Sequence, residues 1–218
     1  MSPVYDDKPV LLKAIELVLA EPGDIQREAQ TLLSAYQIAN HGRHPAQVRD
    51  MAAAKIISNY SYYAAFAGGA SALTGVIPGL GTVIATFGGA TADTALSMKY
   101  QIEMTMALAA IHGHNILLEE EKRMCMIIAG MGAISESAKS AGKSMGSKAF
   151  IRLTREFLKG ATLQAVKEIF KKVGIIFTRK ALEKAIPFGV GVLISFATNK
   201  GLTLYVGSKA HDFFAVDA

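Results

Sequence analysis

A chain of 218 residues, 51% hydrophobic and 19% charged, is long enough for one sizeable core, and its charged fraction falls below the typical quarter. Its mean hydropathy of +0.29 lies between that of an ordinary soluble domain and that of a polytopic membrane protein. A single cysteine, Cys125, excludes an intramolecular disulfide framework, and its apolar surroundings predict a buried, inert thiol.

The net charge of +5 is unevenly spread. Residues 1–50 hold five Lys/Arg against seven Asp/Glu, whereas Lys139 to Lys184 holds twelve Lys/Arg against three Glu. Such a basic block suits an anionic membrane surface, or else a solvated helix face. The start of the chain lacks a basic region followed by an apolar one, so cytosolic residence is expected, at the inner face of a membrane.

Strand signals are nearly absent, and helix punctuation is frequent. An amphipathic run from Lys8 to Leu19 places Leu11, Leu12, Ile15, Val18 and Leu19 on one stripe and stops at Pro22-Gly23. Asp24 is the expected N-cap of a second helix closed by Asn40-His41-Gly42, and Pro45 opens a third. Between Lys55 and Asp93 no side chain is charged, and small residues dominate. Gly75 and Pro78-Gly79 predict a turn between two helical arms packed backbone to backbone, the second arm reaching from Gly81 to Ile111. Each arm holds barely the ~20 apolar residues that a bilayer span needs.

Glu119-Glu120-Glu121 then opens a helix through Met131 and Ile134. Ser135 to Lys148 reads as a mobile connector loosened by Gly142 and Gly146. Helices are expected over Phe150–Leu158, Leu163–Val173, Ile175–Lys184 and Pro187–Phe214. The whole is one all-α domain, a compact multi-helix bundle around an uncharged Gly/Ala-rich hairpin. It divides into an N-terminal pair (1–44), the hairpin (45–113), basic helices (114–184) and a C-terminal apolar helix (185–218).

The candidate functional residues are of three kinds. A membrane-contacting hairpin comprises Gly75, Ile77, Pro78, Gly79, Leu80 and Gly81, echoed by Pro187 and Gly189, and the echo predicts side-by-side packing of the two apolar helices. A basic face comprises Lys139, Lys143, Lys148, Arg152, Arg155, Lys159, Lys171 and Lys172. A buried polar lock is expected from Asp93, Gln101 and Asn199, with Lys99 and Lys200 as possible partners of Asp93.

His112-Gly113-His114 lacks the companions of a metal site. Gly142-Lys143-Ser144 fails as a phosphate loop, because Ser137 stands where the first glycine belongs and no strand precedes it. No catalytic set, cofactor fingerprint or metal site emerges, and nucleic acid is not an expected partner.

Leu73-Thr74-Gly75-Val76-Ile77-Pro78-Gly79-Leu80-Gly81, then Gly89-Ala90-Thr91-Ala92-Asp93 and Ile111-His112-Gly113-His114, resembles the EcsC protein family. Ile186-Pro187-Phe188-Gly189-Val190-Gly191, with Ala197-Thr198-Asn199 and Gly207-Ser208-Lys209-Ala210, is similar to that family's C-terminal block. The resemblance implies an all-helical, membrane-associated bacterial protein without established catalytic activity. The family's pattern often carries an aromatic residue and an acid around the mid-chain glycine, where this chain has His112 and Asn115. A second, compositional resemblance is to glycine-zipper pore-forming effectors of bacterial competition. The expected functions are accordingly non-enzymatic binding to anionic lipid, pore formation by the hairpin, or a soluble protein-interaction scaffold whose hairpin is core.

Overall fold

The computed structural model describes residues 7–66, 73–140, 142–143, 145–159, 162–183 and 191–217. They form α1 (Val10–Glu16), α2 (Pro22–Ala39), α3 (Pro45–Ala65), α4 (Leu80–Phe87), α5 (Gly89–Ile111), α6 (Glu119–Ser140), α7 (Ser147–Leu158), α8 (Leu163–Glu183) and α9 (Gly191–Asp217), with no strand among the described residues. The all-α expectation is met. Pro187 and Gly189 lie outside the described residues.

The core is built around α5, which has no polar face. Every residue from Gln101 to Ile111 is buried, and α1, α2, α3, α4, α6 and α9 all pack on this helix. A helix apolar all round is stable only when it is enclosed on every side. Outside that inner layer, α7 rests on α6 and α9, and α8 rests on α6 and α1. The basic part of the chain therefore forms the outer layer of the bundle.

Several boundaries differ from the sequence-based expectation, each for a local reason. In α2 the first helical residue is Pro22, whose fixed φ suits a first turn, so Asp24 lies inside the helix and pairs with Arg27 at 2.8 Å. Helix α1 ends at Glu16 rather than Leu19, and Ala20 turns its N–H to the Glu103 carboxylate at 2.7 Å. The second hairpin arm is two helices, parted at Gly88 with φ 82°. The connector expected over Ser135–Lys148 shortens, because α6 runs on to Ser140 and buries Ser135 against Met145 and Tyr205. Helix α8 is continuous through Gly174, where a Cβ would stand 3.9 Å from that of Leu11.

The hairpin packs only partly as expected, because α5, the longer part of its second arm, lies on α3, whereas α4 does not. Helix α4 lies on α5 and to a lesser extent on α1, rather than along α3. A Cβ added at Gly75, Gly81, Gly88 or Gly89 would meet nothing within 4 Å, so these glycines mediate no close backbone approach. That role falls elsewhere. A Cβ on Gly207 of α9 would stand 2.8 Å from Ile57 of α3, and one on Gly130 of α6 would stand 2.3 Å from Ile169 of α8.

Gly79 is the exception within the motif. It has φ 80°, and a Cβ there would stand 2.1 Å from the Leu17 carbonyl oxygen, so this glycine lets the turn close on the end of α1. Gly79→Ala, which adds left-handed strain of ~1–2 kcal/mol to that clash, is expected to destabilise the fold by about 2 kcal/mol or more. Gly81→Ala, in open space on α4, is expected to be neutral or to stabilise by up to ~1 kcal/mol. Urea titration of the two variants against the wild type checks the contrast.

Candidate functional site

The basic face is strongest on α7. Phe150, Ile151 and Thr154 are buried, with Leu153, Phe157 and Leu158 half-buried beside them. Opposite them Lys148, Arg152, Arg155 and Lys159 follow at i, i+4, i+7 and i+11, one stripe of exposed cations along the helix. The start of α7 is tied to α9 through Ser147, whose hydroxyl donates to Asp212 Oδ2 at 2.5 Å and accepts from Lys209 Nζ at 2.7 Å. Its apolar face is thus committed to the fold, and only its charge is offered outward.

The other expected members of this face are exposed but dispersed. Lys139 lies 5.2 Å from the centre of the Tyr205 ring, and Lys172 lies 5.9 Å from that of Phe157, bridging α8 to α7. Lys143 follows the end of α6, and Lys171 stands on the outer side of α8.

The hairpin motif divides into an anchored part and an exposed part. Ile77 and Leu80 are buried and Gly79 closes on α1, so Ile77–Leu80 docks the turn to the body. Thr74, Gly75, Pro78 and Gly81 are exposed, and Val76 is 76% exposed. At the other border of the uncharged stretch Tyr62, Tyr63 and Phe66 are also exposed, Phe66 by 62%. The Lys200 ammonium lies 3.7 Å from the centre of the Tyr62 ring, and its hydrogen bond and charge hold that phenol below its usual range. Much of the uncharged stretch is therefore surface, not core. No described helix is long and apolar enough to cross a membrane.

The expected polar lock is a different set of residues. Gln101 is buried, donating from Nε2 to Ser97 Oγ at 3.2 Å, but Asp93 and Asn199 are only half-buried. The buried charges on α5 are Lys99 and Glu103, ion-paired one turn apart and 7% and 4% exposed. Burial pushes the Glu103 carboxyl above the usual carboxylate range, against the pull of Lys99 and the Ala20 N–H. Tyr60 of α3, half-buried, has its phenol pushed up by desolvation and by the Glu103 charge. The i, i+4 spacing of Lys99 and Glu103 was the sequence signal for this pair.

Sequence reasoning also missed a histidine cluster, because its members come from distant segments. The rings of His112 and His211 lie 5.5 Å apart, and Phe214 lies 5.9 Å from His112 and 5.1 Å from His114. Around them, His114 Nδ1 donates to Glu121 at 3.0 Å, His211 Nε2 faces Asp50 at 3.3 Å, and His112 Nδ1 donates to the Leu108 carbonyl at 2.8 Å. Burial holds His112 below its ordinary pKa; the bond to Leu108 works against this, while His211, Arg49 and His114 add to it. No group of residues that could hold a metal ion occurs among the described residues.

Two glycine motifs resolve as helix ends. Gly113 N–H reaches Ala110 O and His114 N–H reaches Ala109 O, and the same pattern links Gly142 to Lys139 and Lys143 to Ala138. Both are Schellman caps with a left-handed glycine, at φ 93° and 83°. Gly142-Lys143 thus ends α6. Cys125 is fully buried, and desolvation raises its thiol far above the reactive range.

Comparison with protein families, with curated proteins and with solved structures gives no match for this chain.

Lys99→Met leaves Glu103 desolvated without its cation and is expected to cost about 3–5 kcal/mol at neutral pH. Lys99→Met/Glu103→Gln, which keeps an acceptor for Ala20, is expected to recover part of that loss, and chemical denaturation of both variants measures the difference. The depressed pKa of His112 means that the unfolded chain binds its proton first as the pH falls. Its stability contribution is complete above about pH 6.5 and shrinks below that value until the folded pKa is passed. The Tm of the wild type should accordingly drop more between pH 7 and pH 5.5 than that of His112→Gln, and equal drops would contradict this assignment.

Proposed function

We propose that this chain is a non-enzymatic, peripheral membrane protein of the EcsC type that binds anionic lipid surfaces. The observation that carries the reading is the four-cation stripe on α7, held rigidly outward by a helix whose apolar face is already buried. Charge, not insertion of α7, then drives the first contact, at about 1 kcal/mol for each basic residue near an anionic surface. Such attraction is screened within about 10 Å at 0.1 M salt, so it works only at close approach.

The exposed Thr74–Val76 turn is the element that would enter the headgroup region after that contact. Ile77 and Leu80 fix it to the body, which limits its reach to a shallow depth. Localisation at the inner face of a bacterial membrane follows from this proposal and from the resemblance to the EcsC family.

Liposome flotation tests the reading. The wild type is expected to float with vesicles of phosphatidylcholine and phosphatidylglycerol, to stay down with phosphatidylcholine alone, and to be released by high salt. Substituting Lys148, Arg152, Arg155 and Lys159 together by Gln should weaken binding several-hundredfold, the ~4 kcal/mol sum of four such contributions. Val76→Asp should reduce the salt-resistant fraction only. Unchanged flotation of the fourfold variant would remove α7 from the mechanism, and leakage of a trapped dye would favour a pore-forming hairpin.

A further inference from the structure

An apolar cleft opens on the side of the bundle formed by α1, the first turns of α5 and α8. Its volume is about 820 Å3, inside the ~300–1,000 Å3 range of small-molecule sites. The cleft brings together segments near residues 10, 90 and 175, so no local motif announces it. Val10 and Ile175 line it and remain about half exposed, although both are large aliphatic side chains. Phe170 and Phe177 supply further apolar wall.

Of the three lining threonines, Thr91, Thr94 and Thr178, the last two have their hydroxyls bonded within their own helices. Thr94 donates its hydroxyl to the Ala90 carbonyl at 3.0 Å, and Thr178 donates to the Gly174 carbonyl at 2.8 Å. Each hydroxyl is turned back onto its own helix, which leaves the methyl groups to contribute apolar surface. Gly174, also in the wall, carries no side chain within the continuous α8, and a Cβ there would come into van der Waals contact with Leu11 at 3.9 Å, narrowing the cleft. Lys171 supplies the charge among the described lining residues, and it is exposed, at the solvent side. Lys167, one turn earlier, is already paired with Asp7.

We propose that this cleft binds one single-chain anionic amphiphile of the long-chain fatty-acid class, with its chain along Val10, Gly174 and Ile175 and its carboxylate at Lys171. A body with no hydrogen-bonding groups matches a mostly apolar lining in which the Thr94 and Thr178 hydroxyls are already satisfied. A single anionic head matches one cation at the mouth. Apolar burial supplies the affinity, and the ion pair sets the direction of entry. The site is separate from the α7 stripe and does not depend on membrane association.

Fluorescence of cis-parinaric acid, titrated with the full chain in the absence of vesicles, tests the assignment. The wild type is expected to bind one probe saturably and to release it to palmitate. Ile175→Glu places a like charge in the cleft at an exposed position, and it should weaken binding more than tenfold while the thermal unfolding curve stays in place. Lys171→Gln should weaken palmitate severalfold and leave hexadecanol, which has no charge, unaffected. Absence of saturable binding, unaltered affinity in Ile175→Glu, or equal weakening of acid and alcohol by Lys171→Gln would overturn the proposal. So would a wild-type dimer that Ile175→Glu converts to monomer without any probe binding, because the occupant would then be a second copy. Flotation that fails while probe binding persists would refute the lipid-surface reading and leave this site standing.

Discussion

Helix α5 is enclosed over most of its length, and the rest of the bundle is arranged around the charged pair buried on it. Six helices enclose it, so a charge on it has no path to water over most of its length. Lys99 and Glu103 answer that constraint by neutralising each other within one turn. The same carboxylate oxygen also accepts the Ala20 N–H, at the connection between α1 and α2. One buried pair therefore also fixes where α1 ends and how the N-terminal helices approach the core. A buried pair of this kind is weak evidence for net stability, but it sets register, because displacement of α1–α2 would strand both the carboxylate and the amide.

Around that centre the protein separates two tasks. Close helix packing uses small residues on α6 and α9, at Gly130, Gly132 and Gly207, where neighbouring side chains fill the space of the absent Cβ. The described glycines of the uncharged stretch, Gly75, Gly81, Gly88 and Gly89, face open space instead, apart from Gly79 at the turn. The outer layer of α7 and α8 then carries the cations, at a distance from α5 that spares them desolvation. Charge is excluded from the centre and gathered on the outside, as the cost of burying ions requires.

The histidine cluster shows the same logic at a helix end. His112 and His114, just after α5, flank Phe214 of α9, His211 stands against His112, and Glu121 and Asp50 face His114 and His211. Burial, with His211, Arg49 and His114 adding to it, holds His112 below its ordinary pKa.

The all-helical architecture and most helix positions were legible in the sequence, because apolar periodicity and Pro/Gly punctuation are local signals. The basic character of α7 was equally plain, since exposed charges need no tertiary explanation. The arrangement of the hairpin was not. Clustered glycines look alike whether they face a neighbouring helix or solvent, and only packing separates Gly207 from Gly81. The polar lock failed for a related reason: Asp93 and Glu103 are both acids on one helix, and enclosure decides which is buried. What the sequence by itself determined is therefore the set of helices and the charge that each carries, properties fixed by neighbours within a few residues. The tertiary structure alone decided which faces are enclosed, that α4 leaves α3 for α5, and that residues near 10, 90 and 175 share one cleft. Those outcomes depend on contacts between distant segments, for which short-range periodicity carries no information.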